Sequence, residues 1–200
     1  MMEWIDTRTY DHQSMALLGR KLAELHRAPV NYSYFGLEIN NNIGLTPQKN
    51  QPQLSWVEFF KTQRLAFQVQ LAQVNGLLPA SRRQRLDHVI EHLDHWIYEP
   101  EFKSILHGDL WAGNVLLSAN GDPVIVDPAV YIGSSEADLA FTGLFGGFSA
   151  SFYSAYQEML PLQPGYKTRR DLYNLYHLLN HLNLFGEPYG FELDEVLRQF

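Results

Sequence analysis

The sequence predicts an α+β fold that is mostly α, and three observations support this prediction. Apolar residues recur at helical spacing in both outer thirds of the chain, short apolar and β-branched runs are confined to residues 104–127, and Gly and Pro separate the segments. With 200 residues, 46% of them hydrophobic, the chain can bury the core of one domain. We therefore expect a helical domain with a small β-hairpin insertion.

The N-terminal part of the chain predicts three helices and one long loop. Apolar residues at helical spacing predict the first helix over Tyr10–Arg27. The segment Asn31–Gln53 is polar and contains Asn, Gly and Pro, which indicates a long loop with a functional or a mobile character. Two further helices are predicted near Trp56–Val74 and Ser81–Tyr98, because a glycine and a proline separate these two periodic stretches.

The middle of the chain changes from helical spacing to short strands. The predicted strands are Ser104–Leu106, Val115–Leu117 and Pro123–Val126. Asn120-Gly121-Asp122 lies between the last two strands and is typical of a hairpin turn. From Ser134 onward the spacing is helical again, and the predicted breaks are Gly146-Gly147, Pro161–Gly165 and Gly186–Pro188.

Composition excludes several functional classes. The formal net charge of −7 argues against a nucleic-acid partner, since phosphate backbones require clustered Lys and Arg. The absence of cysteine excludes disulfides and thiolate zinc sites and is typical of a cytosolic protein. The sequence shows neither a secretory signal pattern nor an apolar run of about 18 residues, which would span a membrane. We expect a soluble cytoplasmic protein without a membrane partner.

The segment His107–Asn114, with the sequence HGDLWAGN, places a carboxylate and a carboxamide five positions apart in a loop between two short strands. Phosphoryl transfer needs a base that accepts the proton of the attacking hydroxyl, and oxygen ligands that hold magnesium on the nucleotide phosphates. Asp109 suits the role of base and Asn114 that of a neutral ligand. Asp127 ends the last strand and supplies a hard anionic oxygen, and hairpin geometry would return it beside the loop. Taken singly, each is an ordinary turn or cap residue; their order and spacing favour a magnesium-nucleotide site.

Other residues near this motif have two interpretations. Asp138 is the third residue after Ser135, which suits a capping box that opens the next helix. Trp111 is either a platform for a sugar or aromatic amine or a packed core tryptophan.

Two groups of histidines also have two interpretations. His88, His92 and His95 share one helical stripe, but neighbouring acidic residues favour a solvated face over a metal site. His177 and His181 face the same way on an apolar helix, so hydrogen-bonded core histidines are favoured over a pocket lining.

These residues resemble the fructosamine kinase (ketosamine kinase) family, within the wider protein-kinase-like group that includes aminoglycoside phosphotransferases and choline kinases. The resemblance covers nearly the whole chain, and its motifs follow the family's order. These motifs are His107–Asn114, Asp127–Tyr131, Glu136–Ala140, Leu144–Gly147 and Tyr176–Gly186. Trp111 is a distinguishing residue, because the aminoglycoside enzymes usually have a histidine at this position.

The resemblance implies a protein-kinase-like C-terminal lobe over residues 1–200, with a hinge remnant at 1–6 and the catalytic and metal-binding hairpin region at 104–127. It implies ATP-dependent phosphorylation of the sugar hydroxyl of a fructosamine or ribulosamine, with ATP and Mg²⁺ as cofactors. The implied roles are catalysis by Asp109, metal binding by Asn114 and Asp127, nucleotide binding by Glu3, Trp4 and Ile5, substrate binding by Trp111, and structural support by His107 and Asp138. Asp138 would hold the catalytic loop from beneath by accepting backbone hydrogen bonds.

By the resemblance, the sequence is expected to begin at the family's interlobe hinge, and residues 1–106 contain neither the glycine-rich phosphate loop nor the strand lysine of the N-terminal lobe. The expected partners are a small-molecule or protein-bound ketosamine and either a homodimer or the absent lobe. Two alternatives stay open at this point. One is a catalytically inactive lobe that acts as a binding or interaction module, and the other is a different small-molecule kinase for aminoglycosides or choline.

Overall fold

A computed structural model describes residues 4–200, which contain eight α-helices and six strands of three residues each. The helices are α1 (His12–Arg27), α2 (Trp56–Phe59), α3 (Phe67–Val74), α4 (Ala80–Glu91), α5 (Ser135–Phe141), α6 (Ala150–Met159), α7 (Tyr166–Phe185) and α8 (Gly190–Leu197). The strands are β1 (Asn41–Ile43), β2 (Thr46–Gln48), β3 (Ser104–Leu106), β4 (Val115–Leu117), β5 (Pro123–Ile125) and β6 (Tyr131–Gly133). The α+β, mostly α fold class is confirmed. None of the helices in this part of the chain has both the length and the hydropathy to cross a membrane.

The strands form three antiparallel pairs, which are β1–β2, β3–β6 and β4–β5. The predicted hairpin is confirmed as β4–β5, with Val115 opposite Ile125 and Leu117 opposite Pro123. Two pairs differ from the expectation. The segment predicted as a loop contains the β1–β2 hairpin, because its strands are too short and polar to show alternation. In addition, β3 pairs with the unpredicted strand β6 across the site region.

The helices follow the predicted breaks with small shifts at their ends. The first helix starts at His12 because the side chain of Asp11 accepts a hydrogen bond from the backbone N–H of Ser14 at 2.7 Å and thereby caps it. The helix predicted near Trp56–Val74 is present but contains a π-helical segment, Phe60–Ala66, between α2 and α3. The helix predicted to reach Tyr98 ends at Glu91 and continues as a short 3₁₀ turn.

Two clusters of buried hydrophobic residues pack against opposite ends of the segment 107–114. The larger cluster is centred on Trp56 and the apolar face of α7, and it includes Leu106 at the end of β3. The smaller cluster lies between α1 and α6 and includes Leu110 and Val115. The motif segment 107–114 thus starts beside one cluster and ends in the other, so both of its ends are fixed by apolar packing.

Candidate active site

The loop that carries Asp109 begins at Gly108, a position where a residue with a Cβ atom does not fit. Gly108 has φ +81°, and a Cβ atom on it would lie 2.1 Å from the backbone carbonyl oxygen of Ala129. A side chain here would combine an unfavourable backbone conformation with a collision against rigid backbone. The chain therefore passes closely beneath the segment that follows Asp127.

Asp138 lies below this loop and is buried. Its carboxylate accepts hydrogen bonds from the backbone N–H groups of His107 at 2.6 Å and Gly108 at 2.7 Å. The Nε2 atom of His26 lies 3.3 Å from the same carboxylate. The capping-box interpretation of Asp138 is wrong, because α5 is preceded by Ser134 as its N-cap residue and this cap makes no side-chain hydrogen bond.

His107 connects the loop to the end of the β4–β5 hairpin. Its Nε2 atom lies 2.9 Å from the backbone carbonyl oxygen of Val126, and its Nδ1 atom lies 3.3 Å from the backbone nitrogen of Asp109. One neutral tautomer satisfies both contacts, with Nε2–H donating to Val126 and Nδ1 accepting from Asp109. The ring thereby fixes Asp109 relative to the residue that precedes Asp127.

Asn114 closes the loop on Asp109. Its Nδ2 atom donates to the backbone oxygen of Asp109 at 2.8 Å and lies 3.3 Å from the Oδ2 atom of Asp109. Because the amide nitrogen is used inside the loop, the amide oxygen is the atom that can ligate a cation. The backbone N–H of Val126 donates to the carbonyl oxygen of Asn114 at 3.0 Å, which brings the end of the hairpin to the same place.

Asp127 is exposed and has φ +52°, the only positive φ of a non-glycine residue within residues 4–200. A left-handed backbone costs a residue with a Cβ about 1–2 kcal/mol, although aspartate tolerates it better than most residues. Such conformations persist where the surrounding structure determines them, and they are frequent at active sites. Here, hydrogen bonds fix the backbone on both sides of Asp127. Val126 bonds to Asn114 and His107 on one side, and Ala129 bonds to His107 on the other.

Burial raises the pKa of Asp109 to about 6, and the negative charges of Asp138 and Asp127 act in the same direction. The hydrogen bond from Asn114 opposes the shift. The charge of Asp127 thus acts on Asp109, consistent with two carboxylates that share one environment. At neutral pH the carboxyl of Asp109 is ionised, but it is a stronger proton acceptor than an exposed aspartate.

The donor set of this site fits a hard divalent cation. Asp109, Asp127 and the Asn114 amide provide only oxygen atoms, which are the ligands of Mg²⁺, and a cation would relieve the repulsion between the two carboxylates. Residues 4–200 contain no cluster of three or more His, Asp or Glu side chains in metal-binding geometry. Asp127 and Asn114 would therefore hold the cation together with oxygen atoms from outside the protein, such as phosphates.

Trp111 lies at the mouth of the loop with 40% of its surface exposed. Its ring rests on the backbone of Gly113, where a Cβ atom would come within 2.4 Å of the indole. The core interpretation of Trp111 is therefore wrong, and its ring is supported by the loop itself.

Of the residues implied for nucleotide binding, Trp4 and Ile5 precede a segment that pairs with the β4–β5 hairpin. Trp4 is 86% exposed and Ile5 is half-buried, whereas Glu3 lies outside the described residues. The backbone N–H of Arg8 donates to Leu117 at 2.9 Å, and Asp6 accepts from Ala119 at 2.7 Å. This segment is therefore fixed at the turn end of the hairpin, while Asp109 lies at its open end.

The two histidine groups lie outside this arrangement of oxygen atoms. The ring of His88 on α4 and the ring of His92, which follows this helix, are tilted by 43° with their centroids 4.5 Å apart, and no metal cluster is formed by the described residues. His177 is buried and stacks on Phe141 with the ring centroids 3.6 Å apart. It is a core histidine, but it is incompletely hydrogen-bonded, because its Nδ1 atom has no partner within residues 4–200. Burial lowers its pKa well below the usual range.

The sequence did not reveal the polar residues, one buried and one half-buried, that contact the segment after Asp127. Gln48 donates to the backbone oxygen of Ala129 at 2.9 Å, and Asn41 donates to that of Val130 at 2.8 Å. Arg64 lies beneath them and is fully buried. The sequence held one indication of this buried position. Arg64 is a charged residue four positions after Phe60, on the apolar stripe that begins at Trp56.

With the geometry established, comparison with known proteins identifies the family. The family model described as fructosamine kinase matches residues 1–200. A protein of Synechocystis named probable ketoamine kinase is 41% identical over 210 residues, which cover 100% of this chain and 66% of that protein. A chloroplastic protein-ribulosamine 3-kinase of Arabidopsis thaliana is 43% identical, over 94% of this chain and 57% of that protein. The chain thus spans between half and two thirds of the length of these curated relatives.

Solved structures agree with the family match. A crystal structure from Thermobifida fusca assigned as a fructosamine-3-kinase superposes with a TM-score of 0.91 at 36% identity, covering 98% of this chain and 68% of that chain. A type I macrolide 2'-phosphotransferase has a TM-score of 0.58 at 16% identity, which shows a shared kinase-like fold alone. The match along all 200 residues, with the loop, hairpin and α5 contacts described above, shows that the chain belongs to the fructosamine kinase family.

Proposed function

We propose that this chain carries the catalytic and metal-binding half of an enzyme that phosphorylates a sugar hydroxyl of ketosamines with ATP. The observation that supports it is that Asp109, Asn114 and Asp127 lie in one environment. Asn114 donates a hydrogen bond to Asp109, and His107 donates one to Val126, the residue before Asp127. This is the set of oxygen atoms that phosphoryl transfer to an alcohol requires.

In the proposed reaction the Asp109 carboxylate accepts the proton of the sugar hydroxyl. The hydroxyl oxygen forms a bond to the γ-phosphorus of ATP, and the bond between that phosphorus and the β,γ-bridging oxygen breaks to release ADP. A pKa of about 6 keeps Asp109 ionised at neutral pH and gives it more affinity for the proton than an exposed aspartate has. Asp127 and Asn114 would hold Mg²⁺, which would supply positive charge to the phosphate oxygens.

Trp111 and the N-terminal segment would bind the two substrates. The supported and partly exposed ring of Trp111 offers an apolar face for the sugar or its amine substituent next to Asp109. Glu3, Trp4 and Ile5 would contact the nucleotide base, as the family resemblance implies. A further lobe would cover the phosphates, and the cytoplasm is the proposed location.

The names of the relatives support a ketosamine rather than an antibiotic as acceptor. Relatives that are 41% and 43% identical are named ketoamine kinase and protein-ribulosamine 3-kinase. The gentamicin-binding and macrolide phosphotransferases are only 15% and 16% identical and share the fold alone. Free and protein-bound ketosamines are both within the proposed substrate class.

The test is a phosphorylation assay of the full-length protein, produced with any in-frame coding sequence upstream of Met1. The protein is mixed with ATP, Mg²⁺ and either fructosyl-lysine or ribulosyl-lysine, with kanamycin and choline as control acceptors. We expect phosphorylated ketosamine from the unchanged protein and at least a 100-fold lower rate from Asp109→Asn. Equal turnover by both proteins, or turnover of a control acceptor alone, would reject the proposal. Ketosamine binding without turnover would instead support a binding module.

A further inference from the structure

Within residues 4–200, Arg64 is a buried cation without an anionic partner. Its side chain is fully buried, and no carboxylate of residues 4–200 lies within ion-pair distance of its guanidinium. One terminal nitrogen donates to the backbone oxygen of Lys49, and the other donates to the side-chain oxygen of Asn50 at 2.9 Å. The Nε atom has no acceptor within these residues. Burying an unpaired charge is unfavourable, so this residue needs a reason beyond core packing.

The local helix geometry and two aromatic rings hold Arg64 in place. It lies in the π-helical segment Phe60–Ala66, and π-helical turns are rare and are frequently found at functional sites. The guanidinium carbon lies 3.9 Å from the ring centroid of Tyr131 and 4.6 Å from that of Phe59. Cation–π contacts of this kind replace part of the hydration that the charge loses.

A network of amides leads from Arg64 to the segment after Asp127. The Nδ2 atom of Asn50 donates to the side-chain oxygen of Asn41 at 2.8 Å, and Gln48 donates to the same oxygen at 2.8 Å. Asn41 and Gln48 donate in turn to the backbone oxygens of Val130 and Ala129. The ring of Tyr131 follows directly, so Arg64 contacts this segment both through the amides and through the ring.

We propose that Arg64 is a positioning residue that fixes the backbone of residues 128–131 and thereby the Asp127 carboxylate relative to Asp109. The segment is tied to the catalytic loop as well, because the N–H of Ala129 donates to the backbone oxygen of His107 at 2.8 Å. Arginine suits this task because its planar guanidinium stacks on Tyr131 while its nitrogens donate in the plane to Lys49 and Asn50. The catalytic consequence rests on the proposed metal-binding role of Asp127.

The experiment compares Arg64→Met and Arg64→Lys in the full-length protein. Hydrogen–deuterium exchange of the peptide covering residues 126–131 measures local opening and requires no activity. We expect about tenfold faster exchange in Arg64→Met and an intermediate rate in Arg64→Lys, which keeps the charge but loses the planar fork. The Mg²⁺ concentration for half-maximal phosphorylation is expected to rise several-fold in Arg64→Met. General destabilisation would lower the maximal rate and leave this concentration unchanged.

Arg82→Met is the matched control. Arg82 is also buried, but it forms ion pairs with Glu187 and Asp194, which lie outside the segment 126–131. We expect it to lower stability without changing exchange at 126–131 or the Mg²⁺ midpoint. If Arg64→Met does not fold, Asn41→Ala removes the hydrogen bond to Val130 from a half-buried position and is expected to speed exchange in the same peptide.

Unchanged exchange at 126–131 in the foldable variants, or an equal change in Arg82→Met, would overturn the proposal. Faster exchange in a protein that phosphorylates no ketosamine would support the structural role of Arg64 and reject the proposed function instead. Faster exchange with an unchanged Mg²⁺ midpoint in an active enzyme would overturn the link to Asp127.

Discussion

The imidazole of His107 donates through Nε2 to the backbone oxygen of Val126 at 2.9 Å, across 19 positions of sequence. Together with the hydrogen bonds from Val126 to Asn114 and from Ala129 to His107, this contact joins the loop that carries Asp109 to the strand end that carries Asp127. The two carboxylates come from opposite arms of the hairpin region, so their separation depends on how firmly these arms are held together. The side chain of His107 is buried, which protects the bond from competition by water.

Replacement of His107 by alanine tests this connection. His107→Ala leaves the Val126 oxygen and the Asp109 N–H without their partner, which should lower the free energy of unfolding by about 1–3 kcal/mol. Looser carboxylates should also reduce kcat by about tenfold or more with a smaller effect on the KM for ketosamine. Urea denaturation and steady-state kinetics measure both quantities. His88→Ala, on the exposed side of α4, is the control and should change stability by less than about 0.5 kcal/mol.

The raised pKa of Asp109 predicts the acidic side of the pH–rate profile. Only the ionised carboxylate accepts a proton, so kcat/KM should be level above pH 7 and fall tenfold per unit below pH about 6. A profile measured between pH 4.5 and 8 at constant ionic strength checks this expectation. A profile that stays level down to pH 4.5 would show that Asp109 has an ordinary pKa, contrary to its buried position.

The same shift predicts that Asp109 destabilises the folded protein at neutral pH. Because its pKa is about 6 when folded and 3.8 in the reference state, the folded protein binds the proton more tightly. The penalty is absent below pH about 4, grows between pH 4 and 6 and is complete above pH 6. Asp109→Asn should therefore raise the free energy of unfolding at pH 8 by about 1–2 kcal/mol, after allowance for partial solvent exposure.

Urea denaturation at pH 8 and pH 4 measures this effect, and the gain should disappear at the lower pH. Asp87→Asn is a suitable control, because the side chain of Asp87 is 52% exposed and pairs with Arg83 on the surface. No comparable gain is expected from it. A gain in Asp109→Asn that is equal at both pH values would point to hydrogen bonding by the new amide rather than to the removal of a buried charge.

The helices and the β4–β5 hairpin were predictable because residues close together in the sequence specify them. Apolar spacing marks α1 and α7, and Gly and Pro mark the breaks between α6, α7 and α8. The pairing of β3 with β6 was not predictable, because it joins Ser104 to Gly133 across the whole site region. The short β1–β2 hairpin has no alternating apolar pattern in its sequence, and its polar residues Thr46 and Gln48 are buried by contacts that form only in the folded chain.

The grouping of the candidate site residues was predictable to the extent that they are close in sequence. Asp109, Asn114 and Asp127 lie within one motif region, so order and spacing indicated them. The contacts that support them come from distant segments. Gln48 reaches Ala129 across 81 positions, and His26 reaches Asp138 across 112. Such contacts depend on tertiary packing, and the residue types alone do not reveal them.

Trp111 is predicted to bind substrate rather than to stabilise the fold. Since 40% of its surface is exposed, Trp111→Ala should change the free energy of unfolding by less than about 1 kcal/mol. Loss of an aromatic stacking face is worth about 0.5–1.5 kcal/mol, which should raise the KM for ketosamine by about 2- to 10-fold with kcat nearly unchanged. Thermal denaturation and substrate titration test both parts. A large loss of stability with unchanged KM would return Trp111 to a structural role.

Gly108→Ala tests whether the close approach beneath Ala129 is required. A Cβ atom at Gly108 would lie 2.1 Å from the Ala129 carbonyl oxygen, so the loop that carries Asp109 or the segment after Asp127 must move. We expect a loss of about 3 kcal/mol or more in unfolding free energy and at least a 100-fold loss of kcat/KM in any folded protein.

Gly76→Ala separates this collision from the cost of backbone conformation. Gly76 also has a left-handed backbone, with φ +70° against +81° at Gly108, but a Cβ atom there would meet nothing within 4 Å. This variant should lose only about 1–2 kcal/mol, the cost of placing a residue with a Cβ in the left-handed region. If both variants lose the same free energy of unfolding, the left-handed backbone conformation alone accounts for the effect. A larger loss in Gly108→Ala, together with the loss of activity, would show that contact with the Ala129 carbonyl fixes the position of the loop that carries Asp109.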